Sequence, residues 1–406
     1  MPEPVLRNVQ DELKSDEPTP ALPPVHFADL EISVTSNIRK IESAWRRLET
    51  RNWNTLNQSM DWCLSWAQSQ GTELVALTGA HGGEIFFILP LDITTEKAGR
   101  IARWPGARFN NTNSGLFDER LAPPDDDEIE HLRRSIKAVL HDRADLLTLD
   151  QVPLVWRGVD HPLAPLASIE NQNHSFQLPL ADTMEATLKQ LNAKARRKKF
   201  RVQSRRMEEL GGYDHVHADD PQEQAKLLDL FFAQKGARLR ANGLPDVFAP
   251  SSTRAFLHCL LAVPRKPQAW PLVMHAIRLK GEHAGHIAAI AGLSRKGDHV
   301  LCQFSSIDDS IAREASPGEF LFWLMIEHSI GEGAKLFDFG IGDQPYKRSW
   351  CSEETVLQDI LLPLTARGRL LQPLMLGKTA IKARLKQHPR IYAIIQRWRR
   401  NHSAAA

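Results

Sequence analysis

Two hydrophobic periods alternate along this chain, and together they outline its elements. Over residues 37–50, Ile38, Ile41, Trp45 and Leu48 recur at helical spacing on one face. A tryptophan-rich helix is predicted over 59–69, stopping near Gly71. Strands are predicted over 73–78 and 84–90, joined by the hairpin signal Gly79-Ala80-His81-Gly82-Gly83. Residues 103–116 read as a loop rich in Asn, Gly and Pro. The acids Asp125 to Glu128 then suit the start of a helix over 129–140. A strand over 145–149 and a proline-punctuated linker over 159–165 close the first half.

The second half repeats this grammar. A long helix is predicted over 183–210, stopped by Gly211-Gly212, with further helices over 222–241 and 252–263. Three strands follow in succession, 272–279, 286–293 and 299–307, separated by polar glycine turns. The segment 317–330 is apolar nearly all round and should be buried, and a short strand over 335–339 comes after it. Strand, helix, strand at the end implies a right-handed parallel crossover. Both halves run from helices into antiparallel strands and then into a helix and a strand, which reads as an internal duplication. The expected fold class is α/β (α+β), with each half a mixed, mostly antiparallel sheet flanked by helices. The expected boundaries are 1–26, 27–175, 176–365 and 366–406.

Composition narrows the function classes. At 406 residues, with 42% hydrophobic and 25% charged residues, the chain is long enough for two separate cores. A net charge of +2 argues against a wholly basic nucleic-acid binder. Cys63, Cys259, Cys302 and Cys351 form no CxxC pair, which speaks against a zinc ribbon and fits a reducing compartment. Residues 1–24 hold six prolines and several acids and are expected to be disordered. With no signal pattern and no run of roughly 20 apolar residues, a cytoplasmic location is expected.

The chemistry gathers near the end of the second half. Asp338-Phe339-Gly340-Ile341-Gly342-Asp343-Gln344-Pro345-Tyr346-Lys347 carries an acid inside an apolar strand, breaks at two glycines, and places a Tyr-Lys pair at a helix start. Asp338 is either a general base, an orienter of an acceptor amine, or a ligand for the backbone of the glycine turn. Asp343 and Lys347, four apart, are expected to pair. Upstream, Ser316-Pro317-Gly318-Glu319 has the form of a capping box. Alternatively, Gly318 would let an anion approach the first N–H groups of that helix. Tyr346 either packs against Trp350 or serves as a proton donor.

Arg313-x-x-Ser316-x-Gly318 resembles the Q/R-x-x-G-x-G/A pyrophosphate loop of the GNAT acyltransferase superfamily, with Ser in place of the first Gly. The pattern from Ser316 to Trp350 resembles the CelD/BcsL-type (cellulose-biosynthesis) acetyltransferase branch, which is related to Fem-type peptidyltransferases. So do the basic helix over 191–210, the Lys235/Arg238 region, Ala44-Trp45-Arg46-Arg47-Leu48 and the Trp62/Trp66 helix. The resemblance implies two tandem GNAT-like halves, the first without a competent donor site. It implies acyl transfer from acetyl-CoA or another acyl-CoA to an amine or hydroxyl, with no metal. The splayed end of the strand 299–307, with Phe304, Ser305 and Ser306, would receive the donor together with Arg313, Ser316 and Gly318. Tyr346 would protonate the thiolate, a step uphill by roughly 2 kcal/mol from ordinary acidities. Lys235, Arg238, Asp343 and Lys347 are the expected substrate contacts.

Two basic runs complete the sequence picture. Eight Lys and Arg fall within 194–206, forming a broad positive surface suited to solvent, to CoA phosphates, to a sugar- or lipid-linked acceptor, or to tRNA. Residues 378–400 hold eight Lys and Arg and no acid, interleaved with apolar positions and split at His388-Pro389. That pattern suits peripheral contact with anionic lipid through 376–400. The scattered histidines lack a zinc framework, and neither a Gly-x-Ser-x-Gly elbow nor a Walker loop is present. The leading expectation is an acyl-CoA-dependent acyltransferase of exopolysaccharide or envelope synthesis. The alternatives are a Fem-like transferase using aminoacyl-tRNA, and a catalytically silent module that binds a polysaccharide synthase or membrane.

Overall fold

The computed structural model describes residues 23–217 and 220–387. Its first half comprises β1 (Glu31–Thr35), α1 (Glu42–Glu49), α2 (Met60–Gln70), β2 (Leu74–His81), β3 (Glu84–Glu96), β4 (Gly99–Arg103), β5 (Leu116–Phe117), α3 (Asp126–Leu140) and β6 (Leu146–Pro153). Short strands β7 (Val155–Trp156), β8 (Val159–Asp160) and β9 (Ile169–Glu170) occupy the connection. The second half comprises β10 (Ser175–Pro179), α4 (Met184–Leu188), α5 (Ala193–Glu209), β11 (Tyr213–Val216), α6 (Pro221–Ala241) and α7 (Ser251–Ala262). It continues through β12 (Ala269–Leu279), β13 (Ile287–Lys296), β14 (His299–Ile307), α8 (Pro317–Gly331), β15 (Leu336–Ile341) and α9 (Pro345–Trp350). Then come β16 (Glu353–Thr355), β17 (Leu357–Pro363) and α10 (Ala366–Gln387).

The duplication is explicit in the pairing. β1-β2-β3-β4 and β11-β12-β13-β14 are both antiparallel runs, and each continues into a parallel neighbour, β6 and β15. Two helices separate the first and second strands of each run, and one crossover helix, α3 or α8, precedes the parallel strand. α8 is buried through Phe320, Leu321, Phe322, Trp323, Met325 and Ile326. Each such side chain is worth about 1.5–3 kcal/mol when removed from water. Phe200 of α5 stacks on Trp323 with ring centroids 4.1 Å apart, closing the core on its outer side.

Two boundaries differ from the sequence reading. The helix predicted over 183–210 is two helices, because the Asn192 side chain accepts from Ala195 N and starts α5 afresh. Residues 357–363, expected with the second half, form β17, which pairs antiparallel with β6 of the first sheet. β15 takes β10 in the corresponding place. Each parallel strand thus gains a partner for its outer backbone groups. Across the junction, Arg157 donates both guanidinium nitrogens to Asp298 at 2.7 Å.

α10 carries the chain back onto the first sheet, where Leu371, Met375 and Leu376 meet Ile101, Leu146 and Leu361. Among the described residues, no helix is long and apolar enough to cross a membrane. The proline-rich stretch 1–22 and the break at His388-Pro389 lie outside the described residues.

Candidate active site

The site begins with a bulge. Phe304 faces Gly292 and Cys302 faces Leu293, so Gln303 is an extra residue in β14. At the same level β14 parts from β15, whose parallel pairing ends at Leu301 opposite Asp338. The resulting V is bridged by Asn111 from the first half. Its Nδ2 donates to Gln303 Oε1 at 3.0 Å, and its Oδ1 accepts from Ile341 N at 3.0 Å. Gly340, at φ +71°, passes so close to Asn111 that a β-carbon would sit 2.2 Å from its Oδ1. Only glycine satisfies both the left-handed backbone and this approach.

One face of the V opens on a cleft of about 580 Å³ lined by Ser305, Ser306, Arg313, Ser316, Gly318 and the start of α8. Ser316 does not build the expected capping box. It adopts φ +50°, its side chain caps nothing, and Glu319, which lines the cleft, pairs with Lys199 there. The first N–H groups of α8 are therefore available to a ligand. Lys199, Lys235, Arg238 and Arg313 line the same cleft, and the Ser306 hydroxyl is buried without a partner. Glu319 and Asp309 share the lining and pair with Lys199 and Arg313, so the cleft keeps a net positive charge of two, which with the orphan hydroxyl and the uncapped helix start suits a phosphate-bearing, pantetheine-like donor.

The other face opens on a cavity of about 430 Å³ between the two halves. Trp62, Arg108, Phe109, Asn110 and Asn111 come from the first half. Phe248, Leu257, Leu260, Phe304 and Phe339 are among those from the second. Lys235, Ser305, Gln344 and Tyr346 line both spaces. The Tyr346 ring stacks on Phe322 with centroids 5.1 Å apart, and burial raises its phenol above the usual tyrosine range. It therefore stays protonated and can donate a hydrogen bond through the physiological range. Lys235 donates to Ser305 O at 2.9 Å, and burial, then the Arg238 charge, push its pKa below the usual lysine range.

Residues 194–348 match the family described as an acetyltransferase (GNAT) domain. That match falls entirely within the second half of the chain. No curated protein matches the chain in sequence. Among solved structures, the chain is similar to FemX at 12% identity, covering 84% of this chain and 99% of that one with a TM-score of 0.59. It is also similar to the C-terminal domain of a lysylphosphatidylglycerol synthetase from Agrobacterium fabrum. There the identity is 12%, the coverage 84% and 96%, and the TM-score 0.50. At such identity the likeness is one of fold.

Within the matched residues, Phe304, Ser305, Ser306, Arg313, Ser316 and Gly318 lie along the two cavities, as do Lys235, Arg238 and Tyr346. Three expected site residues are engaged within the fold, Asp338 by one of its alternative readings and Asp343 and Lys347 against the pairing expected of them. Asp338 is fully buried and lines neither cavity. Its carboxylate accepts from Gly340 N at 2.6 Å and Ser175 Oγ at 3.2 Å, with His299 Nε2 at 3.4 Å. It holds the glycine turn, as one of its alternatives proposed, and leaves no route to an acceptor. Asp343 pairs with Arg348 at 2.5 Å instead of Lys347, because α9 starts only at Pro345 and Lys347 turns inward. Lys347 borders the acceptor cavity, yet its ammonium donates to Gly340 O at 3.0 Å and Ile341 O at 2.6 Å, and burial lowers it to about 8. It staples the turn.

The basic face of α5 is partly spent on packing. Arg196 lies over the Trp350 ring at 4.1 Å, Lys199 pairs with Glu319, and Arg206 donates to Glu314 O. His215 and His217 join His275 and His328 in one cluster, with His215 Nε2 3.1 Å from His275 Nδ1. Among the described residues no group of ligating side chains could hold a metal ion. Sequence reasoning missed Trp62, Arg108, Phe109 and Asn111 as site residues. The only local signal was the asparagine-rich loop itself, whose target lies some 200 positions away.

Proposed function

We propose that this protein is an acyl-CoA-dependent acyltransferase, acting with acetyl-CoA in the simplest case on an amine or hydroxyl acceptor. The observation that carries the reading is the shared boundary of donor cleft and acceptor cavity at Lys235, Ser305, Gln344 and Tyr346. Arg313, Arg238, Lys199 and the uncapped start of α8 would hold the phosphates of the donor. The thioester supplies an activated acyl carbon. Backbone N–H groups freed where β14 leaves β15 are suited to stabilise the oxyanion formed on attack. Tyr346 would donate to the departing sulfur. Burial makes full proton transfer from it harder, so hydrogen bonding to the thiolate is its stronger contribution. No carboxylate or imidazole lines the acceptor cavity among the described residues. That favours an amine, which can give up its ammonium proton to water before it attacks and its second proton to water afterwards, over a hydroxyl, which needs a base during the attack itself.

Thermal shift with acetyl-CoA, longer acyl-CoAs and aminoacyl-tRNA in parallel tests this reading. A ligand at 100 times its dissociation constant stabilises by about 2.7 kcal/mol. No shift with any CoA would overturn it. A shift with aminoacyl-tRNA alone would favour a Fem-like transferase, a reading supported by the FemX-like fold and by Lys194 and Lys198 of α5, which have no ion-pair partner among the described residues. Binding of CoA without turnover would support the silent module. The link to exopolysaccharide or envelope synthesis, and a sugar- or lipid-linked acceptor, rest on the sequence resemblance.

Peripheral contact with anionic lipid is proposed through α10. Leu370, Leu374 and Ile381 are 72%, 70% and 60% exposed, follow one helical stripe, and are flanked by Arg369, Lys378 and Lys382 with no acid on the helix. Equal co-sedimentation of the parent and a Leu370→Asp/Leu374→Asp variant with phosphatidylglycerol vesicles would reject this contact.

A further inference from the structure

We infer that the acceptor is an amphipathic anion: a molecule with an apolar body and a carboxylate or phosphate that pairs with Arg108. The inference rests on the acyltransferase reading only in calling this ligand the acceptor. From residue 104 to 117 the first-half loop is buried or half-buried at every position except Arg108, which stands exposed at the cavity rim. The loop is tightly built around it. Phe109 N donates to Gly106 O at 2.7 Å, and Trp62 Nε1 donates to Asn110 Oδ1 at 3.0 Å. Arg108 thus projects from a rigid turn, yet it makes no ion pair or hydrogen bond among the described residues. An arginine free of partners and held at a cavity mouth is arranged for a planar or tetrahedral anion.

Below it the walls change character. Phe109 packs on Phe248 at 5.8 Å and Phe248 on Phe304 at 6.0 Å, with Leu257 and Leu260 completing an apolar surface. Among the described residues no acidic side chain lines the cavity to oppose an anion, and its other two cations are already engaged, Lys235 by Ser305 O and Lys347 by Gly340 O and Ile341 O. A ligand with its charge on Arg108 and its hydrocarbon against these rings would leave its other end at Tyr346. That end is where an amine would have to arrive for transfer.

Calorimetric titration with decanoate, decyl phosphate and decanol, each against the parent, Arg108→Gln and Val247→Asp, tests the assignment. Val247 is 37% exposed on the lining, so a charge there should not unfold the chain. The parent should bind both anions more tightly than decanol. Arg108→Gln should weaken the anions about tenfold or more while leaving decanol unchanged. Val247→Asp should weaken the anions further than decanol. The preferred anion distinguishes a carboxylate from a phosphate acceptor. Equal affinity for decanoate and decanol, or no loss in Arg108→Gln, would overturn the inference. Acetyl-CoA titrated into the same variants separates the two readings. Intact acetyl-CoA binding with no anion preference sinks only the acceptor class. Anion binding without any acetyl-CoA binding sinks only the acyltransferase.

Discussion

The two crossover helices, α3 and α8, occupy the same place in the two sheets and begin in opposite ways. α3 opens on a complete capping box: Glu128 N donates to Asp125 Oδ1 at 2.9 Å and Asp125 N to Glu128 Oε2 at 3.0 Å. Asp126 and Asp127 add further negative charge. Its dipole is already answered, and a phosphate would meet four carboxylates. α8 opens on a left-handed Ser316 that caps nothing, and its single first-turn acid is bound to Lys199. The V beyond each parallel pair differs likewise. In the first half Trp104 Nε1 and Asn113 Nδ2 both donate to Asp150 O and fill the gap. In the second half the gap is left as two cavities, and a finger of that same first-half loop forms their wall. One copy has become a plug and a wall, and the other has kept the opening.

The sharpest break in this comparison is Tyr346, which has no counterpart after β6. Tyr346→Phe should lower turnover by about 100-fold or more while acetyl-CoA affinity stays nearly constant. Single-turnover kinetics with a parallel binding titration measures both. Unchanged turnover would return the ring to its stacking role on Phe322.

Acid should strain the second half more than the first. Burial lowers His161 of the first half to about 4, and its Nδ1 accepts from Leu163 N while Nε2 faces Ser114 O, which requires the neutral ring. In the second half burial, then neighbouring imidazoles, lower His215 to about 3 and push His275 and His328 down as well. All four are depressed below an unfolded value near 6.5. Their stabilisation is therefore complete above that pH and drains away as pH falls toward 3 to 4. Urea unfolding at pH 7, 6 and 5 should show a steady loss that His275→Gln reduces. Constant stability across that range would contradict the neutral cluster.

Gly340→Ala attacks the contact through which the first half walls the second. The new β-carbon would lie 2.2 Å from Asn111 Oδ1 in a left-handed backbone, so about 2–3 kcal/mol of stability should be lost. Asn111→Ala in the same background should recover part of it, because the obstructing atom is gone. A fully additive double variant would mean the two residues are not in contact.

Much of this architecture was legible in the chain, and the failures have identifiable physics. The duplication followed from hydrophobic period, because burial on one face or all round leaves its mark in consecutive residues. Tyr346 and Gly318 stood out because their neighbours set helix starts locally, and Arg313 through the resemblance to a pyrophosphate loop. Asn111 did not, since its partners Gln303 and Ile341 are close only after two sheets have folded and docked. β17 was misassigned for the same reason: an apolar strand reads alike whichever sheet edge it fills. At Ser316 the residue pattern of a capping box was present, yet the cap needs an extended backbone and Ser316 adopts the left-handed one. Asp343 and Lys347 were spaced for a helix that starts two residues too late.

Making α8 begin as α3 does should close the donor side. Ser316→Asp places a carboxylate beside the N–H groups proposed for the phosphates, and acetyl-CoA affinity should fall about tenfold with stability little changed. The reciprocal Asp125→Ser should leave affinity alone and affect stability by no more than about 1 kcal/mol. Equal effects of the two on acetyl-CoA binding would erase the distinction drawn between the helices.

Ser316→Gly is the mildest test and the most discriminating about why serine stands there. A left-handed serine costs roughly 1 kcal/mol, which glycine removes, but glycine frees the unfolded chain by a similar amount. The two contributions nearly cancel, so the midpoint of unfolding should hardly move. Donor affinity should hold or rise, because the helix start loses a side chain and keeps its N–H groups. A marked loss of acetyl-CoA affinity would instead make the Ser316 hydroxyl a direct contact of the donor, a role that its uncapped, cleft-lining position permits. The first half offers no comparable experiment, since Asp125 already has the extended backbone of a capping residue at φ −83°.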